Sequence, residues 1–174
     1  MPLSTASHKI KGRKNAKDVF YTPRALSKRL IDTYHEVVDG EIWCDPFAGN
    51  GSFIQQFPKT TRNTWSEIAL GKDFFKRTKQ VDVISSNPPY SILNDVLKHT
   101  LKICKKEFGY LIGINNLTPK RIQMCNEAGF YLKSMEMFNV WKWFGMSCYV
   151  VFSKEVTENV MQFNRTVWRE DPIK

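Results

Sequence analysis

Two strand-like runs of this chain each end in a loop of unusual composition, and that pairing constrains the fold more than any other feature. Glu41-Ile42-Trp43-Cys44 leads into Asp45-Pro46-Phe47-Ala48-Gly49-Asn50-Gly51-Ser52-Phe53, a Gly-rich turn that reads as the start of a short helix from Ser52. Val81-Asp82-Val83-Ile84-Ser85 leads into Ser86-Asn87-Pro88-Pro89-Tyr90-Ser91. Both loops sit at the C-terminal ends of strands, where open α/β sheets bind ligands. Further strand candidates lie at residues 63–67, 108–114, 131–138 and 147–152. Thr22-Pro23 reads as an N-cap followed by proline at the first helical position, and Leu26, Leu30, Ile31 and Tyr34 then form one apolar stripe to about residue 37. Helices also fit residues 92–105 and 119–127, the latter with another Thr-Pro start and an end near Gly129. Residues 76–79 read as a short helix or a loop. Strands alternating with helices imply parallel, right-handed β-α units. Strands 131–138 and 147–152 are separated by a loop too short for a crossover helix, so they should pair as an antiparallel hairpin.

The chain has 174 residues, 42% hydrophobic and 13% aromatic, which suits one packed domain rather than a disordered segment. No apolar run reaches the roughly 18 residues of a membrane span. The longest, residues 135–152, is interrupted by Glu136, Asn139 and Lys142. The basic N-terminus has no apolar segment behind it, so it does not read as a secretory signal. Cys44, Cys104, Cys125 and Cys148 are scattered, without a CxxC pair or a histidine at ligand spacing. They read as buried free thiols in a reducing compartment, cytoplasmic or another intracellular one, and no metal site is expected. His8, His35 and His99 form no metal or nucleophile-base pattern.

The formal charge is +9, from 26 basic and 17 acidic residues, and such an excess favours polyanionic partners. Lys9, Lys11, Arg13, Lys14 and Lys17 all precede the first acidic residue, Asp18. Residues 1–17 therefore read as a basic flexible arm, either a solubilising tail or a nucleic-acid contact. Lys98, Lys102, Lys105 and Lys106 fall on one side of their expected helix, as a solvated face or a phosphate track.

The two loops, in this order, resemble those of the S-adenosylmethionine-dependent amino-methyltransferases of class I, with Asp45 to Phe53 as the cofactor loop and Asn87-Pro88-Pro89-Tyr90 as the catalytic loop. The resemblance covers residues 18–153. It implies a Rossmann-like α/β fold: a mostly parallel seven-stranded sheet with an antiparallel C-terminal β-hairpin and helices on both faces. It also implies S-adenosyl-L-methionine as cofactor, held by Asp45, Pro46, Phe47, Gly49, Gly51 and Asn87, with Asp45 near the methionine ammonium. Glu67 would accept hydrogen bonds from the ribose hydroxyls, while Asp73 and Phe74 would hold the adenine. Phe20, Tyr21 and Thr22 resemble the segment that closes over the methionine moiety, packing of Phe20 or Tyr21 into the core being the competing reading.

An exocyclic amine on a planar base or carboxamide is a poor nucleophile because its lone pair is delocalised. The Asn87 side-chain carbonyl and the Pro88 backbone carbonyl would accept from its two N–H bonds and disperse the charge that develops. Pro88 and Pro89 stiffen the backbone and remove competing donors. Tyr90 supplies a face on which a flipped base stacks. A second aromatic wall would come from Phe138 or Phe144, each of which also reads as core, with Trp141 and Trp143 as further candidates in that loop.

The motif order is similar to that of adenine-N6 DNA methyltransferases whose target recognition comes last, yet only about 20 residues follow Phe152. Residues 18–174 then read as one catalytic domain without a separate recognition domain. Specificity would be minimal or come from short loops, a partner subunit or a second copy. Expected substrates, in order, are adenine N6 in DNA, adenine N6 in RNA and glutamine N5 in a protein. A non-catalytic cofactor-fold subunit of a methyltransferase complex is the alternative of a different class.

Overall fold

The computed structural model describes residues 21–140, 143, 145–156, 158–169 and 171. The basic arm at 1–17, Phe20, Trp141 and Phe144 lie outside the described residues. Helix α1 (Arg24–Tyr34) is followed by strands β1 (Ile42–Asp45), β2 (Arg62–Trp65) and β3 (Val81–Ser86), then α2 (Leu93–Ile103) and β4 (Cys104–Gly113). Helix α3 (Pro119–Glu127), β5 (Tyr131–Val140), β6 (Ser147–Ser153) and β7 (Val160–Trp168) complete the chain. The apolar stripe expected of α1 is its buried face: Leu26, Leu30, Ile31 and Tyr34 are buried, with Ser27 among them. Its start differs by one position. Pro23 is the N-cap, and Thr22 makes no side-chain cap but faces the loop that follows β1.

The seven strands lie in the order β2-β1-β3-β4-β6-β5-β7. β1 pairs in parallel with β2 on one side and β3 on the other, and β3 in parallel with β4. β6 is antiparallel to both β4 and β5, whereas β7 is parallel to β5. Only β6 therefore runs against the rest. The β5–β6 hairpin forms as the short loop required, but it does not close the sheet. β7, which no sequence pattern had marked, pairs along β5 and takes the edge. The connection from β1 runs outward to β2 and returns on the other side to β3, so the chain changes direction between β1 and β3. A switch point of that kind leaves a crevice at the strands' C-terminal ends.

Alternation along the central strands divides the core in two, since successive side chains point to opposite faces. Trp43, Val83, Leu111, Tyr149 and Val151 pack under α1. Cys44, Ile84, Tyr110, Val150 and Phe152 pack under α2 and α3. On either side of β2, the connections from β1 to β3 carry 3-10 turns in place of α-helices: Ile54–Gln56, Ile68–Leu70 and Phe74–Lys76. The helix expected from Ser52 is thus a single 3-10 turn. Helix α2 ends at Ile103, so Lys105 and Lys106 belong to β4, where they pair with Asp82 and Glu41 instead of extending a helical lysine row. All four cysteines are buried free thiols. No helix among the described residues is long and apolar enough to cross a membrane.

On the α1 side the sheet buries a polar chain. His35 Nδ1 lies 2.6 Å from the Glu107 carboxylate, His35 Nε2 lies 2.6 Å from the Tyr149 hydroxyl, and that hydroxyl is 2.7 Å from Ser85 Oγ. Lys133 donates to the other Glu107 oxygen at 2.8 Å. Burial pushes the Glu107 carboxyl up, but His35 and Lys133 outweigh it and hold the group below its ordinary range. Glu107 then accepts from Nδ1–H, and in the neutral ring Nε2 accepts from Tyr149, which is left to accept from Ser85. The chain crosses β4 at Gly109, where a Cβ would fall 2.0 Å from Tyr149 Oη and 2.8 Å from His35 Nε2. Gly109→Ala should therefore displace Tyr149 and cost about 1–3 kcal/mol, as overpacking of a filled core does. Urea unfolding measures it; an unchanged midpoint would mean that the chain yields without loss.

Candidate active site

The Gly-rich loop is built around one carboxylate. Asp45, at the end of β1, is 1% exposed. Its Oδ1 accepts from the Phe47 backbone N–H at 3.3 Å and from Ser86 Oγ at 2.6 Å, and its Oδ2 accepts from the Ile54 N–H at 3.1 Å. Both ends of the loop and the end of β3 are thereby tied to one side chain. Burial pushes the Asp45 carboxyl up to about 7 against the bonds from Ser86, Phe47 and Ile54, which lower it, with Glu67 adding to the rise. Pro46 lies buried beneath the loop and Phe47 stands edge-on to Phe74, ring centroids 5.3 Å apart.

Above this base the loop turns on two glycines with left-handed backbone, Gly49 at φ 50° and Gly51 at φ 85°, a region that other residues occupy only with strain. Gly49 N–H donates to Glu67 Oε2 at 2.8 Å, and Ala69 N–H donates to Glu67 Oε1 at 3.1 Å. Glu67 therefore stands just past β2, beside the tip of the loop, where its carboxylate braces the Gly49 amide. The Tyr21 ring lies across Gly49: a Cβ there would sit 3.6 Å from Tyr21 Cε1. Ser52 Oγ donates to the Thr22 carbonyl at 2.6 Å, and Ser27 Oγ of α1 donates to the Ser52 carbonyl at 2.6 Å. These bonds fasten the segment before α1 onto the loop.

The second loop begins where β3 ends. Ser85 and Ser86 are both fully buried and point to opposite faces, Ser85 into the Tyr149 chain and Ser86 to Asp45. Asn87 follows directly, and its amide nitrogen donates to Thr22 Oγ1 at 3.3 Å. Pro88 is buried, and Pro89 caps the 3-10 turn Tyr90–Ile92 that leads into α2. Tyr90 is half-buried against the core cluster under α2.

Together these parts frame a cleft with an open volume of about 240 Å³, walled by Tyr21 and Thr22, by the loop from Phe47 to Phe53 and by Asn87. Of the residues singled out in the sequence, Tyr21, Thr22, Phe47, Gly49 and Asn87 line this cleft at the switch point between β1 and β3, with Asp45 bonded beneath the loop and Glu67 bonded to its tip. Two aromatic candidates are packed away from it. Phe74 is 2% exposed, wedged between Phe47 and His99, so it supports the loop from below. Phe138 is 1% exposed within the core under α1. Asp73 caps the 3-10 turn after β2 by accepting from the Phe75 N–H at 2.9 Å. Ser52, Ser86 and Asn50 stand within the two loops but carried no assigned role in the sequence, although their hydrogen bonds hold the site together. A serine at the last buried position of a strand, before an Asn-Pro, was the available signal.

No protein-family model matches the sequence, and no curated protein matches it significantly. Solved structures do resemble it. A methyltransferase subunit of a type I restriction-modification system from Streptococcus thermophilus aligns at TM-score 0.60 and 14% identity, over 82% of this chain and 47% of that one. Magnesium protoporphyrin IX methyltransferase from Synechocystis, solved with bound S-adenosylmethionine, aligns at 0.57 and 11%, over 89% and 86% of the two chains. The Mtq2–Trm112 complex of E. cuniculi, responsible for methylation of the eRF1 translation termination factor, aligns at 0.58 and 14%, over 80% and 100%. The chain spans about half the length of the restriction subunit. At such identities the likeness concerns the fold, and the fold is that of the Rossmann-like class I methyltransferases.

The Asp45 carboxyl sets a pH dependence of stability. Its folded value of about 7 exceeds its ordinary 3.8, so between those limits the folded state holds a proton that the unfolded state has lost. Asp45's contribution is then complete below about pH 4 and declines as pH rises through 7. Asp45→Asn should remove that decline. Urea midpoints at pH 4.5 and 7.5 test this: wild type should lose more stability over the interval than the variant, and equal losses would refute the burial argument.

Proposed function

We propose that the protein transfers a methyl group from S-adenosyl-L-methionine to the exocyclic N6 amine of adenine in DNA. The observation that carries this reading is the convergence of Asn87 and the Gly-rich loop on one cleft at the switch point. The residues there fit such a cofactor in kind. Gly49 brings the backbone to the surface while Gly51 turns the loop behind it, Tyr21 and Phe47 offer apolar walls, and Glu67 places a carboxylate beside the loop tip, suited to ribose hydroxyls. Asp45, sealed beneath the loop, acts as its anchor, and above about pH 7 it also sets a negative charge below a cationic ligand. The cofactor, when bound, supplies an electrophilic methyl group.

The protein's own part is to hold the amine. Asn87 offers a side-chain carbonyl and Pro88 a backbone carbonyl to its N–H bonds, so the nitrogen lone pair is turned toward the methyl donor. The bond from Asn87 to Thr22 orients the amide before substrate arrives, which places the cost of alignment in folding rather than in reaction. Tyr90 at the loop's far end presents a ring edge and face for a base taken out of its stack. Target recognition would come from a partner subunit or a second copy, in keeping with the restriction subunit that this chain half covers.

A second reading is methylation of a glutamine N5 in a protein. It is favoured by full coverage of the E. cuniculi structure, and by the fact that Asn-Pro-Pro-Tyr suits a carboxamide equally well. Adenine N6 in RNA stands between the two, and a non-catalytic subunit of a methyltransferase complex remains the reading to which inactivity would lead. Labelled methyl transfer to DNA, RNA and protein pools, followed by nucleoside and amino-acid analysis, separates them. Asn87→Ala should lower transfer about a hundred- to thousandfold, as loss of one preorganised partner does, with cofactor affinity nearly unchanged by calorimetry. Activity within threefold of wild type would mean that Asn87 does not hold the amine.

A further inference from the structure

Beside the catalytic loop stands a cation held only by neutral groups. Arg121 lies in the first turn of α3, at the C-terminal end of β4, and is half-buried. Its Nε donates to Asn94 Oδ1 at 2.8 Å, and its Nη1 donates to the Asn116 carbonyl at 2.7 Å and to Asn116 Oδ1 at 3.2 Å. Three neutral acceptors therefore fix the guanidinium plane. Among the described residues Arg24 pairs with Asp171 and Arg29 with Glu136, but Arg121 pairs with no carboxylate. Burial alone lowers its pKa, with no acid nearby to raise it.

The position is close to Tyr90. A Cβ on Gly113 would lie 3.9 Å from Tyr90 Cε2 and 3.5 Å from Asn116 Nδ2, so the tyrosine ring and the asparagine that holds Arg121 flank the same glycine. Asn94, the other holder, is in the first turn of α2, directly after the Tyr90–Ile92 turn. A fixed, uncompensated guanidinium is the complement of an oxyanion, and its planar fork matches two phosphate oxygens. The exposed neighbour Lys120 and the net charge of +9 favour a polyanionic strand over an acidic peptide.

We propose that Arg121, held by Asn94 and Asn116, binds a backbone phosphate of the DNA strand next to the nucleotide that enters at Tyr90. The inference rests on the nucleic-acid reading above and adds a substrate-positioning residue to it. Phosphate contact of this kind releases a counterion on binding, which makes it visible in salt dependence.

Two variants test it by different routes. Arg121→Gln keeps a donor toward Asn94 and removes the charge. Asn94→Asp leaves Arg121 in place but sets a carboxylate against it, at a helix start where an acid is well tolerated. Affinity for a DNA duplex is measured by anisotropy from 50 to 300 mM salt, with KM and kcat for methyl transfer to the same duplex. For Arg121→Gln the slope of log affinity against log salt should shrink by about 0.9, one phosphate's share, and KM should rise about tenfold, as loss of a charged hydrogen bond does. Asn94→Asp should act in the same direction, and Arg121→Lys should restore most of the slope. For all three, kcat should stay within about threefold and cofactor affinity should be unchanged. If wild type methylates DNA but Arg121→Gln and Asn94→Asp keep slope and KM, the phosphate assignment is overturned and the proposed function stands. If wild type neither binds nor methylates DNA and acts on a protein glutamine, the nucleic-acid reading fails and takes this assignment with it.

Discussion

The hydrogen bond from Ser86 to Asp45 is the contact on which the site depends. It joins the ends of two neighbouring strands through their side chains, at 2.6 Å and out of reach of water. The same carboxylate receives the backbone N–H groups of Phe47 and Ile54, so the loop between them is fixed at both ends. A hydrogen bond to a charged group contributes roughly 1.5–3 kcal/mol, and an unpaired buried carboxylate costs more than that. Removing any one donor would leave Asp45 short of partners in a place that water does not reach. The neighbouring Ser85 points the other way and ends the chain through Tyr149 and His35 to Glu107. Two adjacent serines thus tie the end of β3 into both faces of the sheet, one residue before Asn87.

The site has a rigid floor and an exposed rim. Asp45, Pro46, Ser52 and Phe53 are buried, whereas Gly49 and Asn50 are exposed at the tip. The tip is nonetheless held from two directions, by Glu67 under the Gly49 amide and by the Tyr21 ring across it. Local opening is drawn from regions with few buried contacts, and in this protein the exposed tip at Gly49 and Asn50 is such a region. The segment at Tyr21 and Thr22 links α1 to this rim, because Ser27 and Ser52 carry hydrogen bonds from the helix through the loop. Helix packing and cleft geometry are therefore one problem.

The far edge of the sheet is closed by different means. β7 pairs along β5, and the Tyr34 hydroxyl of α1 donates to Glu136 on β5 at 2.5 Å and lies 3.0 Å from Gln162 Oε1 on β7. Arg29 supplies the counter-charge to Glu136 at 2.6 Å. One helix thereby grips the outermost two strands with polar groups while its leucines grip the centre. β5, an edge strand had the chain stopped at β6, is covered on both sides, which removes an open hydrogen-bonding edge from a long strand.

The parts of this protein that were legible in the sequence are those written in local chemistry. Proline at a helix start, leucines at helical spacing, a Gly-rich turn after a strand and a hairpin too short for a crossover each follow from steric or periodic rules within a few residues. They located α1, α3, the β5–β6 hairpin and the two loops. β7 was not legible, because Met161, Arg165 and Val167 are exposed on an edge where burial imposes no clean alternation. Aromatic identity also said little about place: Phe138 and Phe74 could have faced a ligand, and packing against α1 and beside His99 decided that they do not line the cleft. Nor did the spacing of Asn94, Asn116 and Arg121 announce that they meet. The sequence by itself determined which residue types stand in each loop. Tertiary structure decided which of them share a site, because strand order rather than chain order sets what lies beside what.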